Sequence, residues 1–119
     1  MKNNRILGIG IDIEDINRFR KLNLTKNNRF LNKIFTMSEL DYCFSKKNVA
    51  SSLATKYVGK EATIKSLSFV GKTIEYKAIE ITNDSSGAPR VNLNFGGKKY
   101  EILISLSNEE ERAIGVAIL

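Results

Sequence analysis

The first segment of the chain, RILGIGIDIEDI at 5–16, alternates apolar residues with glycine or polar residues. This two-residue period predicts a β-strand from Ile6 to Ile13. Ile9, Ile11 and Ile13 share one face, which we expect to be buried in the core. The opposite face carries two glycines and then Asp12, so a carboxylate stands on a face without bulky side chains.

The period changes to three and four residues in the middle of the chain. Apolar residues from Val49 to Leu67 recur at the spacing of an amphipathic helix. Two shorter helices are predicted before it, at 27–36 and 37–47, the second with Ser38 as its N-cap. A further helical region is predicted from about Asp15, with a break at 23–25.

The two-residue period returns after Gly71. It predicts four strands, in YKAIEIT at 76–82, RVNLNF at 90–95, YEILISLS at 100–107 and RAIGVAIL at 112–119. Gly96 and Gly97 are expected to form a two-residue hairpin turn. We therefore predict one α+β domain over residues 1–119, a mostly antiparallel sheet with the long helix packed on one face.

Composition limits the chemistry that the chain can perform. Its 119 residues include no histidine, which excludes Ser-His-Asp and Cys-His catalysis and disfavours a zinc site. The single cysteine, Cys43, excludes an internal disulfide and suits a reducing cytoplasm. Neither a secretory leader nor a membrane span is expected from the apolar runs.

The charge is positive and unevenly spread. The net charge is +6, and the segment 16–38 contains six basic residues and no acidic one. This pattern favours an anionic partner, although a solvated helix face explains it equally well.

Glu61 interrupts the apolar face of the long predicted helix. A buried carboxylate must be paired, protonated or bound to a cation. One interpretation is an ion pair with Lys65, four residues later. The other is that Glu61 meets Asp12 where the helix crosses the sheet, so that the two carboxylates hold Mg²⁺ beside lysines that bind phosphates. For Asp12 alone, a strand-end cap or a hydrogen-bonded partner also remains open.

Five segments in one order carry a resemblance to a known family: GIGIDIEDINR, FLNKIFTMSELDYC, KYVGKEATIKSL, IEITNDSSGAPRV and ISLSN, beginning at residues 8, 30, 56, 79 and 104. Together they resemble the bacterial holo-acyl-carrier-protein synthases, small 4′-phosphopantetheinyl transferases of fatty-acid biosynthesis. The resemblance implies transfer of the phosphopantetheine arm of coenzyme A to a serine of apo acyl carrier protein, which releases adenosine 3′,5′-bisphosphate. It also implies a homotrimer with active sites between subunits.

The resemblance assigns roles to particular residues. Asp12 and Glu61 correspond to the Mg²⁺ ligands, and Lys65 to a lysine beside the attacked phosphate, so these three form the expected catalytic set. Glu61 or a metal-bound water is expected to take the serine proton. The residues expected to bind coenzyme A are Lys56, Lys60, Lys65, Ser86, Gly87, Pro89, Ser105 and Asn108.

The family docks its acidic carrier protein through cationic and apolar residues that follow the first strand. The matching residues here are Arg18, Lys26, Arg29, Phe30 and Lys33. Their charges are expected to steer the encounter and to lose effect in salt.

The chain departs from the family pattern at the nucleotide end of the site. Ala88 replaces a lysine of the turn, Leu103 and Asn108 replace two histidines, and Ser68 replaces a glycine. A catalytically weakened member that only binds coenzyme A or carrier protein is therefore an alternative. A nucleic-acid-binding module is disfavoured, because the strands alternate through Ile, Val and Leu rather than stacking aromatics.

Overall fold

A computed structural model describes residues 5–93 and 100–119. In chain order, the strands and helices are β1 (Ile9–Asp15), α1 (Asn17–Arg20), α2 (Asn28–Ile34), α3 (Met37–Phe44), α4 (Val49–Ser68), β2 (Ile79–Asn83), β3 (Pro89–Leu93), β4 (Leu103–Asn108) and β5 (Arg112–Ile118). A short 3₁₀ turn, Tyr76–Ala78, precedes β2. The α+β class and the long central helix are as predicted.

The described strands form two antiparallel sheets rather than one. β5 lies between β1 and β4 in a three-stranded sheet, while β2 and β3 pair separately. The predicted hairpin at Gly96 and Gly97 lies outside the described residues.

Helix α4 lies against the glycine face of β1, with their backbones almost in contact. A Cβ at Gly10 would come within 1.9 Å of the Ala62 carbonyl oxygen, and one at Gly8 within 2.2 Å of the Ser66 carbonyl oxygen. Only glycine permits this approach. The face without bulky side chains is therefore the buried one.

The expectation that the isoleucines of β1 face the core is wrong. Ile9, Ile11 and Ile13 are 52%, 57% and 59% exposed. A two-residue period shows that the two faces differ but does not show which one is buried. Here the glycines admit the helix backbone, so the isoleucines lie on the outer face of the sheet.

The N-cap of helix α3 lies two residues earlier than predicted. It is Thr36 rather than Ser38, because Thr36 accepts from the backbone N–H of Glu39 while the Glu39 carboxylate accepts from the backbone N–H of Thr36. Ser38 instead donates its hydroxyl hydrogen to Glu80. The predicted span of α4 agrees with the structure to within one residue at its C-terminal end.

The edge of β2 that faces the helices is capped by charged side chains. Lys56 donates to the Ile81 carbonyl at 2.7 Å, and Lys60 donates to the Ile79 carbonyl. Glu39 accepts from the Ile81 N–H at 2.7 Å and forms a 2.8 Å ion pair with Lys60. These contacts satisfy a strand edge that no further described strand covers.

Within the described ranges, 5–93 and 100–119, we find no helix that is both long and apolar enough to span a membrane.

Candidate active site

Three carboxylates converge where β1 crosses α4. One carboxylate oxygen from each of Asp12, Glu14 and Glu61 lies within 4.8 Å of the others. Asp12 and Glu14 point to the same side of β1 because they are two residues apart. The sequence predicted that Asp12 and Glu61 meet, but it missed Glu14. The same alternation that placed Asp12 on the glycine face could have identified Glu14.

Asp12 has one satisfied oxygen and one unsatisfied oxygen. Lys65 lies 3.3 Å from Asp12 Oδ1 and donates to the Ile11 carbonyl at 2.8 Å. Asp12 Oδ2 is buried and has no hydrogen-bond partner among the described residues. Such an atom is costly unless a cation or donor reaches it.

Glu61 is held by tyrosine rather than by lysine. The Tyr57 hydroxyl donates to Glu61 Oε2 at 3.0 Å, whereas Lys65 reaches across to β1. The alternative of an i,i+4 ion pair between Glu61 and Lys65 is therefore not what the structure contains. Burial, followed by the neighbouring Tyr76 side chain and the Glu61 carboxylate, raises the pKa of Tyr57, which keeps the phenol protonated as a donor.

Glu14 is paired with Arg18, and the Arg18 guanidinium lies 5.8 Å from the ring centres of both Phe19 and Tyr57. Burial, followed by the neighbouring Asp12 carboxylate, raises the pKa of Glu14, while Arg18 opposes that rise.

The donor set fits a hard divalent cation. Mg²⁺ prefers oxygen ligands and is commonly held by one or two carboxylates together with waters or substrate phosphates. The buried, unpartnered oxygen of Asp12 lies in a group of three carboxylates. These residues would supply the ligands.

A cationic cavity of about 460 Å³ lies beside α4. Its lining includes Lys46, Lys47, Lys56, Asn83 and Asn108. The Lys56 ammonium donates to Asn83 Oδ1 at 3.3 Å, and its pKa is lowered by burial. Asn108 donates to Thr55 Oγ1 at 3.1 Å. The sequence predicted Lys56 and Asn108 as binding residues but missed Lys46 and Lys47. The position of this pair just before the N-cap of α4 is the signal that could have identified it.

Lys60 does not line this cavity. Its side chain is fully buried, paired with Glu39 and bonded to the carbonyls of Tyr76 and Ile79. We expected Lys60 to contact coenzyme A, but in this chain it caps the edge of β2 instead. The reason is that Lys60 lies one turn after Lys56 on the α4 face that covers β2.

Five other residues expected to contact coenzyme A also lie outside the cavity lining, and one of them, Lys65, lies beside Asp12 instead. Ser86, Gly87 and Pro89 are in or next to the turn between β2 and β3, where Asp84 accepts from the backbone N–H groups of Ser86 and Ala88. Ser105 lies on the outer face of β4. Gly87 is nevertheless linked to Lys56 through Asn83, whose amide accepts from Lys56 at 3.3 Å and donates to the Gly87 carbonyl at 3.1 Å.

The residues expected to dock a carrier protein form an exposed basic surface. Lys26, Arg29, Phe30 and Lys33 are exposed on or just before α2. Arg18 is also exposed, but its guanidinium is shared with Glu14.

Comparison with known proteins identifies the family. The family model described as the 4′-phosphopantetheinyl transferase superfamily matches residues 8–117. A holo-[acyl-carrier-protein] synthase of Chlamydia trachomatis is 43% identical, over 95% of this chain and 98% of the relative. The chain therefore belongs to the 4′-phosphopantetheinyl transferase superfamily.

Solved structures agree with this assignment. A holo-(acyl-carrier-protein) synthase from Bacillus anthracis in complex with CoA (3′,5′-ADP) superposes with a TM-score of 0.77 at 26% identity, over 95% of each chain. The Helicobacter pylori holo-[acyl-carrier-protein] synthase in complex with coenzyme A gives 0.73 at 30% identity, over 92% of this chain and 96% of the other. Within the superfamily, the relatives are holo-[acyl-carrier-protein] synthases, and the enzyme class predicted from the sequence is confirmed.

Proposed function

We propose that this enzyme transfers the 4′-phosphopantetheine arm of coenzyme A to a serine of apo acyl carrier protein, with Mg²⁺, in cytoplasmic fatty-acid biosynthesis. The products are holo acyl carrier protein and adenosine 3′,5′-bisphosphate. The observation that carries the proposal is the convergence of Asp12 and Glu61 in a chain of this family, with Asp12 Oδ2 buried and without a partner among the described residues.

In the proposed reaction the serine oxygen attacks the phosphorus that bears the pantetheine arm. The new P–O bond forms as the bond to adenosine 3′,5′-bisphosphate breaks, and the serine proton passes to Glu61 or to a water. Asp12 and Glu61 would hold Mg²⁺, which supplies Lewis-acid stabilisation of charge on the transferred phosphoryl group. The half-exposed ammonium of Lys65, next to Asp12, would bind a phosphoryl oxygen.

The cationic cavity is the proposed site for the nucleotide end of coenzyme A. Three lysines line it, and phosphates are the anionic part of that donor. The relatives solved with coenzyme A support this choice of ligand. The side-chain amide of Asn108 would contact the nucleotide there. Lys56 would contribute less, because its ammonium already donates to the Ile81 carbonyl of β2.

We further propose that the enzyme is a homotrimer. The outer face of the β1–β5–β4 sheet presents Ile9, Ile11 and Ile13 next to Ile114, Val116 and Ile118, which the register places opposite them. An apolar surface of this kind is characteristic of an interface. Trimerisation would also give a role to the turn residues Ser86, Gly87 and Pro89 and to Ser105, which would complete the site of a neighbouring subunit.

The basic surface around Arg29 is proposed to bind the acidic carrier protein. Exposed cations next to the exposed Phe30 combine electrostatic steering with an apolar contact.

The test is incubation with coenzyme A, Mg²⁺ and apo carrier protein, followed by intact mass measurement of the carrier. The expected result is a mass increase by one phosphopantetheine arm. Binding of coenzyme A without any mass increase would favour the weakened, binding-only alternative and overturn the proposed activity.

A further inference from the structure

The two buried lysines of α4 differ in how their charge is balanced. Lys60 forms a 2.8 Å ion pair with Glu39. Lys56, one turn earlier on the helix, is only 4% exposed and forms no ion pair with a described carboxylate. A buried ammonium without a counter-ion is unfavourable. Because Lys56 lines the cationic cavity, an anion bound there would supply the missing negative charge.

Neutral groups hold the Lys56 ammonium in place. It donates to the Ile81 carbonyl at 2.7 Å and to Asn83 Oδ1 at 3.3 Å, and it lies 4.5 Å from the ring centre of Tyr42. These contacts fix the position of the ammonium but do not cancel its charge. The charge therefore remains available to a ligand in the cavity.

Asn83 uses both ends of its side-chain amide. Its Oδ1 accepts from Lys56, and its Nδ2 donates to the Gly87 carbonyl at 3.1 Å. The two partners determine the orientation of the amide, because an ammonium needs an acceptor and a carbonyl needs a donor. Asn83 also lines the cavity. A single amide thus joins Lys56 of α4 to the turn that follows β2.

We propose that Asn83 is a positioning residue for the nucleotide end of coenzyme A, because its amide fixes the Lys56 ammonium at the cavity wall and ties the Gly87 turn to the same point. This inference rests on the proposed function, which assigns the cavity to the nucleotide. Asn83 acts through Lys56, whose charge attracts the phosphates. An amide suits this role, because an aspartate could not donate to Gly87 and would cancel the lysine charge.

Asn83→Leu removes both hydrogen bonds of the amide. It should raise the Kd for adenosine 3′,5′-bisphosphate and the KM for coenzyme A about 3- to 10-fold, the effect expected for a lost hydrogen bond. The kcat should be unchanged, because Asn83 lies outside the carboxylate cluster. Asn83→Gln, which keeps both amide groups, should retain more of the affinity than Asn83→Leu.

The experiment is calorimetric titration of adenosine 3′,5′-bisphosphate into the purified chain, together with steady-state kinetics on coenzyme A. Asn92→Leu is the matched control, because Asn92 is an exposed asparagine of β3 that does not line the cavity. Lys56→Met, alone and combined with Asn83→Leu, completes a double-mutant cycle. Thermal unfolding checks that each variant is folded, and Asn83→Ser, which is too short to bridge both partners, replaces Asn83→Leu if that variant does not fold.

The outcomes separate this inference from the proposed function. The inference is supported if Asn83→Leu raises Kd and KM at constant kcat, Asn92→Leu changes neither, and the losses from Asn83→Leu and Lys56→Met are less than additive. Additive losses would mean that Asn83 contacts the nucleotide independently of Lys56, and they would overturn the positioning role. An unchanged Kd in Asn83→Leu would overturn it as well, while weaker binding by Lys56→Met would leave the cavity assignment standing. If the unaltered chain binds neither adenosine 3′,5′-bisphosphate nor coenzyme A, the proposed nucleotide site is overturned too.

Discussion

Gly10 of β1 lies directly against Ala62 of α4, so closely that a Cβ on Gly10 would come within 1.9 Å of the Ala62 carbonyl oxygen. Asp12 follows Gly10 on the same face of β1, and Glu61 precedes Ala62 on α4. The contact between the two backbones therefore sets the distance between the two carboxylates.

Gly10→Ala should separate α4 from β1, because neither backbone can move aside as a side chain would. We expect a loss of about 1–3 kcal/mol in the free energy of unfolding, together with a higher Kd for Mn²⁺. Urea denaturation and Mn²⁺ titration measure the two effects. Gly59→Ala is the control, since its Cβ meets the flexible end of Ile81 at 2.5 Å and should cost less. Equal stability and metal affinity in Gly10→Ala and the unaltered chain would contradict the role of this contact.

The buried Lys60–Glu39 pair should contribute to stability rather than to ligand binding. Lys60→Met leaves the Glu39 charge and the Ile79 carbonyl without their partner, and we expect a loss of about 3–5 kcal/mol in the free energy of unfolding. Urea denaturation of Lys60→Met and of the unaltered chain measures it.

The affinity for coenzyme A tests whether the role of Lys60 is structural. The folded fraction of Lys60→Met should bind coenzyme A with an unchanged Kd, because Lys60 lies outside the cavity. A stable Lys60→Met with weakened binding of coenzyme A would instead support the direct contact expected from the sequence.

The outer sheet face should determine the oligomeric state. Leu103→Glu places a charge on a residue that is 69% exposed in the single chain, and it should shift the mass seen by light scattering from trimer to monomer. Met37→Glu is the control, at an apolar residue of α3 that is 71% exposed. A monomeric, fully active unaltered chain would contradict the proposed interface.

Docking of the carrier protein should depend on α2. Arg29→Glu should raise the KM for carrier protein severalfold at low salt while leaving the KM for coenzyme A unchanged. The reason is that charges at the rim of a protein–protein interface mainly affect the rate of association. Lys72→Glu, a charge reversal outside α2, is the control. Steady-state kinetics at two salt concentrations make the comparison, and an equal rise in both KM values would argue against a separate docking surface. Arg18 is unsuitable for this test because it also pairs with Glu14.

Much of the fold could be predicted because the spacing of apolar residues along the chain distinguishes a helix from a strand. The long helix and the C-terminal strands follow from it. The buried face of β1 could not be predicted by the same means, because an isoleucine face serves equally well in a core or in an interface. The three-residue spacing of Thr36 and Glu39 is typical of a capping box, and it could have identified Thr36 as the N-cap of α3 in place of the predicted Ser38.

The site could be predicted only in part, for a similar reason. Asp12 and Glu61 were found because each carboxylate interrupts an apolar or glycine pattern. Lys60 could not be placed from its motif, since its burial depends on where β2 lies against α4. Glu14 was missed because Arg18, its partner, was considered only as a surface charge.

The central claim is that Asp12 and Glu61 hold the metal on which transfer depends. The most direct measurement is the Mg²⁺ dependence of carrier-protein modification, followed by intact mass, for the unaltered chain, Asp12→Asn, Glu61→Gln and the control Asp15→Asn. We predict saturable Mg²⁺-dependent transfer for the unaltered chain and Asp15→Asn, and at least a ~100-fold loss in the other two variants, which should remain folded. Full transfer by Asp12→Asn or Glu61→Gln, or transfer by the unaltered chain that is indifferent to chelator, would contradict the claim.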